Sequence, residues 1–490
     1  MAKVGILTFS DGREFVHRDL IEMLVGFESR IRARLLADGH EVVCGEEIVW
    51  TTELAKREAQ RLAHVGCDAT LFNYAVWAFP HFTAIASQFA PEPFLTFSNV
   101  NPGSPGLVAM LAAAGTLNQL GVNFERAWGD IEDEAVYAKV RRFCRATEVV
   151  HRLRGETYGL IGGRPMGMYT AVSNPDQVMR QFGVDIEHID QWELVRRSKN
   201  VDPKRVRAGR KWLEQWGNVH YDHRQLTPEI LERQIRTYYA LRELVDEWHL
   251  DFCGVKGQPE LTNHHCTTDV AEAFMNDPYD WDGEKAPVVC ATEADTDGAL
   301  TMEILKHLAR TPVLFADVRH YNERLGFFDL VNSGEHATYF AARSFDPQDN
   351  MPHVHFYPAS SFFPAGGASV QHLAAPGEAT FARLTRKDGN YWMAILHGEF
   401  VRFAEDVNDA LMRETTREWP HAFAQFDASP EEILSTYGSN HIHAVYGDYV
   451  DDIVAICRSL DVIPVVLGRT EPREILEPAL LRTNVDPVLT

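Results

Sequence analysis

The sequence predicts an α/β protein: two consecutive Rossmann-like parallel-sheet domains followed by a mainly antiparallel, barrel-like β domain. Three observations lead there. Through residues 1–155, short apolar runs alternate with amphipathic helical patterns, as in a parallel sheet covered on both faces. The alternation restarts at Tyr158-Gly159-Leu160-Ile161 and continues to residue 325. After that come short β-type runs, among them Val354–Tyr357 and Met393–Leu396, separated by turns such as Pro364-Ala365-Gly366-Gly367 and Lys387-Asp388-Gly389-Asn390. The expected domains are therefore 1–155, 156–325 and 326–490, the second carrying Glu293 and Asp317 and the third His441.

A length of 490 residues suits three domains of about 150 each. Seventy acids against 47 bases leave a net charge of -23, which argues against a general affinity for nucleic acid or for anionic membranes. The seven cysteines are odd in number and form no CxxC pair, a reduced intracellular pattern rather than a disulfide framework. Met1-Ala2-Lys3-Val4-Gly5 runs straight into a strand, and the chain has no long apolar span. A cytoplasmic location is expected.

Val4–Phe9, Glu41–Cys44, Ala69–Tyr74 and Phe94–Phe97 are expected strands, with helices near 18–38, 52–65 and 105–119. Pro105 suits a helix start, and 132–155 forms a helix leading out of the first domain. In the second domain the glycines of Gly159-Leu160-Ile161-Gly162-Gly163 match neither GxGxxG nor a P-loop, so they serve a tight turn and not a phosphate site. Asp185–Ile189 is a strand, and Ile230, Ile235, Leu241 and Val245 mark a long helix over 227–248. In the third domain, helices are expected near 404–416 and 448–460.

Residues 287–319 stand out. Val288-Val289-Cys290-Ala291 and Pro312-Val313-Leu314-Phe315-Ala316 have the texture of buried strands, and Leu300, Ile304 and Leu308 mark a helix between them. Each strand ends on a carboxylate, Glu293 or Asp317. If the strands are parallel neighbours, about 4.8 Å apart, both acids emerge at the carboxyl edge of one sheet. Two carboxylates so close share a proton, hold a cation or pair with bases. Asp295 and Asp297 fit helix N-caps. His353 and His355, an HxH on an expected strand, read as two histidines on one β face rather than a metal site.

Several blocks carry a family resemblance: Gly257-Gln258, Asp269-Val270-Ala271-Glu272-Ala273, Asp280-Trp281-Asp282-Gly283, Ala291-Thr292-Glu293-Ala294-Asp295 and Phe315-Ala316-Asp317-Val318-Arg319. Asp11-Gly12-Arg13, Gly162-Gly163-Arg164-Pro165-Met166-Gly167, Asn332-Ser333-Gly334, Phe363-Pro364-Ala365-Gly366-Gly367 and Ser439-Asn440-His441 extend it over nearly the whole chain. Together they resemble the L-fucose isomerase family, although this chain is shorter, chiefly in its C-terminal part. The resemblance implies an aldose–ketose isomerase that moves a proton between C2 and C1 of an open-chain sugar through a cis-enediol(ate). It implies a divalent cation, Mn2+ by family usage, held by Glu293, Asp317 and His441, with the two acids also moving the proton. Gln258, Trp419, Asn440, Arg13 and Trp77 are the implied substrate contacts, and His336 is a further candidate metal ligand. The family also implies a homo-oligomer, commonly a hexamer, with a small-molecule sugar as partner.

Relatives act on L-fucose, D-arabinose and other aldoses. Pro259-Glu260 and His264-His265 depart from the usual pattern, so a 6-modified aldose, deoxy or sulfonated, is an alternative substrate. A sugar-binding module without catalysis is the rival of another class; the acid-rich stretch 293–317 counts against it.

Overall fold

The computed structural model describes residues 1–332 and 336–469. Ser333 and Gly334 of the Asn332-Ser333-Gly334 block lie outside the described residues. The chain forms two compact units: residues 1–152 with 451–460, and residues 153–450 with the strand that follows residue 460.

The first unit holds β1 (Lys3–Phe9), β2 (Glu41–Cys44), β3 (Ala69–Tyr74), β4 (Phe94–Ser98) and β5 (Phe124–Trp128), all parallel, in the order β2-β1-β3-β4-β5. Every residue of β3 and β4 is buried, the polar Thr70, Asn73, Thr96 and Ser98 included. The helices start where local chemistry allows: Thr51 caps Thr52–His64 by accepting from the Leu54 N–H, and Gly121 ends Gly106–Leu120 in the left-handed conformation. The helix Val450–Ser459 returns to this unit, where Arg142 donates to Asp451 over 2.8 Å.

The second unit begins with β6 (Thr157–Ile161), β7 (Asp185–Ile189), the short β8 (Asn218–Val219), β9 (Phe252–Val255), the two-residue strands β10 (Tyr279–Asp280) and β11 (Gly283–Glu284), and β12 (Cys290–Thr292). A parallel sheet runs β12-β9-β6-β7. The helix Pro228–Glu247, started by Thr227 and Pro228, buries Leu231, Ile235, Tyr238, Leu241 and Leu244 in the core beside that sheet.

The chain continues through β13 (Leu314–Asn322), β14 (Phe327–Val331), β15 (His355–Pro358), β16 (Ala368–Gln371), β17 (Gly377–Lys387), β18 (Asn390–Phe400), β19 (His421–Phe426), β20 (His441–Tyr446) and β21 (Ile463–Val466). The order β17-β20-β13-β14-β19-β18 closes on itself through the β17–β18 hairpin, with β21 parallel to β18 outside the ring. Two parallel sheets followed by a mostly antiparallel, barrel-like sheet is the expected fold class.

Two expectations need correcting. β12 and β13 are not parallel neighbours: β12 edges the parallel sheet on β9, whereas β13 lies inside the antiparallel sheet between β20 and β14. The helix Thr296–Ala309 joins two sheets instead of crossing over within one. Periodicity fixes which residues are buried, not which strand pairs with which, so both pairings fit the same apolar runs. The HxH pair also divides, since His353 ends a 3₁₀ turn and only His355 is on β15, where its Nδ1 meets His220 Nε2 at 3.0 Å.

Candidate active site

Three strands deliver the acidic group. Glu293 follows β12 at the carboxyl edge of the parallel sheet, and its backbone adopts φ +58°, with Ala294 at +49°. Consecutive non-glycine residues in the left-handed region cost on the order of 1–3 kcal/mol each and persist only where packing imposes them. Packing here is close: a Cβ at Gly254 of β9 would lie 3.0 Å from Ala294 Cα and 2.2 Å from the Tyr158 hydroxyl. Asp317 and His441 face each other across the antiparallel β13–β20 pair, so their side chains share one face. The register of β13 shifts between Val318 and His320, just past Asp317.

His441 is fully buried and central. Its Nε2 lies 3.1 Å from Glu293 Oε2 and 3.7 Å from Asp317 Oδ1, while Nδ1 lies 2.6 Å from Asp295 Oδ2. Asp295 is anchored in turn. Its Oδ1 caps the helix by accepting from the Gly298 N–H at 3.0 Å, and its Oδ2 accepts from Arg383 Nη1 at 2.5 Å, with both side chains fully buried. Arg383, on β17, also donates to the Thr170 carbonyl. Gly298 permits this approach, because a Cβ there would stand 2.6 Å from Asp295 Oδ2 and 2.8 Å from Arg383 Nη1. Asp297, the other expected cap, lies within the helix and bonds Arg386 and Tyr391 instead.

The electrostatics follow from this chain of contacts. Burial pushes the Asp295 carboxyl up, but Arg383 and His441 hold it well below the usual carboxylate range. Burial pulls His441 down, yet the Asp295 and Glu293 hydrogen bonds raise it to about 9. Burial raises Asp317, and His441 opposes that shift. The site thus gathers more negative charge than its own bases balance, and a positive charge on or beside His441 is stabilised.

Other candidates fall into place around this group. Gln258 follows β9, the strand next to β12, and lines a narrow cleft with Gly257, Thr262, Asp269, Glu293 and Phe363. Asn440 donates to Asp317 Oδ1 at 2.9 Å. Trp419 is buried with Val331, Ala359 and Phe363, and the Arg319 guanidinium lies 4.7 Å from its ring centroid. Arg13 and Trp77 belong to the first unit, Arg13 in a bidentate pair with Asp11 and Trp77 packed against that unit's core. The neighbours of His336 are His372, at 5.9 Å between rings, and His421.

Sequence reasoning missed two residues. Asp295 reads as a cap but also orients His441; its spacing of two from Glu293 was the available signal. Asp269 lines the cleft with one carboxylate oxygen buried and without a partner among the described residues, and burial raises its pKa well above the usual range. Its block carries the family resemblance, but nothing in the helical pattern singles out this residue.

Comparison with known proteins shows the family. The family model for the first N-terminal domain of L-fucose isomerase matches residues 1–155, that for the second N-terminal domain 247–310, and that for the C-terminal domain 330–467. The chain belongs to the L-fucose isomerase family. It is 25% identical to the L-fucose isomerase of Haemophilus influenzae, with 97% of this chain and 94% of that one aligned. Identity to the L-fucose isomerase of Streptococcus pneumoniae is also 25%, over 97% and 95% of the two chains. L-fucose isomerase family membership makes the protein an aldose–ketose isomerase, an intramolecular oxidoreductase. Among solved structures, a tagatose-bound solute-binding protein of Agrobacterium vitis aligns at 9% identity and TM-score 0.16 over 64% of this chain and 90% of that one. The D-lactate dehydrogenase of Escherichia coli aligns at 12% identity and TM-score 0.16, over 63% and 95%. Neither bears on the fold or the function. No helix among the described residues is long and apolar enough to cross a membrane.

Proposed function

We propose that the protein interconverts an aldose and its 2-ketose with a divalent cation, Mn2+ foremost, held by Glu293, Asp317 and His441. The observation that carries this reading is the convergence of His441 Nε2 on two carboxylates while Asp295 engages Nδ1. A carboxylate on the far nitrogen of a ligating histidine sets its tautomer and orientation, and leaves Nε2 as the donor. Two carboxylates and one imidazole make a mixed oxygen and nitrogen set suited to a first-row divalent ion.

The cation would polarise the sugar carbonyl and offset negative charge on O1 and O2. The protein's own residues do the rest. One carboxylate of the Glu293–Asp317 pair takes the proton from C2, leaving the cis-enediol(ate), and a proton returns to C1 as C2 becomes the carbonyl. Asn440 holds Asp317 by its Oδ1. Gln258 and Asp269, both lining the cleft beside Glu293, supply polar groups for sugar hydroxyls, and Trp419 with Phe363 forms an apolar wall. L-Fucose and D-arabinose are the first substrates to test, with 6-modified aldoses beside them. We place the enzyme in the cytoplasm as a homo-oligomer, a hexamer by family usage.

The test is turnover of an aldose panel in deuterium oxide by EDTA-stripped protein, before and after adding Mn2+. Deuterium is expected at C1 of the ketose, or at C2 of recovered aldose, only with metal restored. Its absence across the panel in metal-loaded protein would sink the proposal.

A further inference from the structure

We infer that the protein has a second divalent-cation site, built from Glu156, Glu303 and His307 at the far end of the helix that begins beside Asp295. The three side chains offer ligand atoms that all lie within 4.8 Å of one another. His307 Nε2 stands 2.7 Å from Glu156 Oε1 and 3.2 Å from Glu303 Oε1. Glu303 and His307 are one turn apart on the helix Thr296–Ala309 and so share a face, and Glu156 comes from the residue just before β6. His307 lies about 18 Å along the helix axis from Asp295, at 1.5 Å per residue, so this is not an extension of the proposed active site.

Burial argues for a cation. The Glu303 side chain is 0% exposed, and those of Glu156 and His307 are 11% exposed. Glu303 Oε2 is buried and has no hydrogen-bond partner among the described residues. A buried carboxylate oxygen without a partner is costly, and a cation bound between the three side chains would satisfy it. Lys306 Nζ lies 2.5 Å from Glu303 Oε1 and leaves Oε2 for another partner. Two carboxylates and an imidazole suit Zn2+ or Mn2+. Once bound, the ion would tie the entry of β6 to the helix that carries Asp295, a structural role distinct from catalysis.

The experiment counts metal. Full-length protein stripped with EDTA is dialysed to equilibrium against Mn2+ or Zn2+, and bound metal per chain is measured by elemental analysis. Wild type is expected to hold one equivalent more than His307→Gln. A Glu293→Gln protein should still show a metal-dependent rise in melting temperature, and adding His307→Gln should abolish that rise. If His307→Gln does not fold, Glu156→Gln at the edge of the sheet takes its place. Equal metal content in wild type and His307→Gln overturns the second site. The inference does not rest on the isomerase reading: loss of metal only in Glu293, Asp317 or His441 variants would support the active-site proposal and overturn this one.

Discussion

The helix 296–309 carries a histidine–carboxylate group at each end, and the two groups are built differently. At its N-terminal end, His441 Nε2 faces Glu293 and Asp317, and its other nitrogen is held by Asp295 and, behind that, by buried Arg383. At its C-terminal end, His307 Nε2 faces Glu156 and Glu303, and Lys306 touches one of those carboxylates. In the first group the oriented histidine joins carboxylates from two sheets beside a cleft, whereas the second lies within one turn of helix and one strand entry. An oriented imidazole beside a cleft suits a cation that also meets a substrate. A compact buried set suits a cation that only fastens two segments.

The sharpest way to break this contrast is to neutralise the acids beside His441. Glu293→Gln and Asp317→Asn should each lower kcat by about 10³-fold or more with the circular dichroism spectrum unchanged. His307→Gln should leave kcat within a few-fold of wild type in steady-state assays. Near-normal turnover in either acid variant would remove that residue from the mechanism.

Next in size is the anchor. Asp295→Asn leaves the Arg383 guanidinium buried without its counter-charge, which should cost about 3–5 kcal/mol, read from urea unfolding. It should also weaken metal binding about 10–100-fold. Adding Arg383→Met should recover much of the stability but not the metal affinity. Recovery of both would show that Asp295 serves packing alone.

Gly298→Ala should cost about 1–3 kcal/mol by wedging a methyl between Asp295 and Arg383. Unchanged stability would mean that the pair tolerates displacement.

The last prediction concerns a histidine without carboxylates. His372 is fully buried, and burial, followed by the Arg402 charge, lowers its pKa to about 3. The unfolded chain takes up this proton below about 6.5 and the folded one does not. Stability is therefore fully present above that pH and declines as pH falls toward 3. About 2 kcal/mol should be lost by pH 5. His372→Gln should flatten this slope in urea titrations at pH 7 and 5. An unchanged slope would assign the acid sensitivity to other groups.

Much of this organisation is written locally. The strands 41–44, 69–74 and 185–189 coincide with the strands read from the sequence, and the helices 52–64 and 228–247 with their periodicity and caps. Such patterns record which residues are buried over a few turns, and burial is a local property of sequence. Two strand-end acids flanking a helix were legible for the same reason. The resemblance then singled out His441, over a hundred positions beyond them, which no local pattern could have tied to that pair.

Tertiary structure decided the rest. It set β12 and β13 in different sheets, so that Glu293 shares its sheet edge with Gln258 and Asp317 shares its face with His441. It made Asp295 both a cap and the support for His441, and it brought Glu156 to Glu303 and His307. The physical reason is the same in each case. Strand order and side-chain convergence depend on contacts between segments far apart in the chain, and an apolar run or a lone carboxylate is equally compatible with several partners until the whole fold selects one.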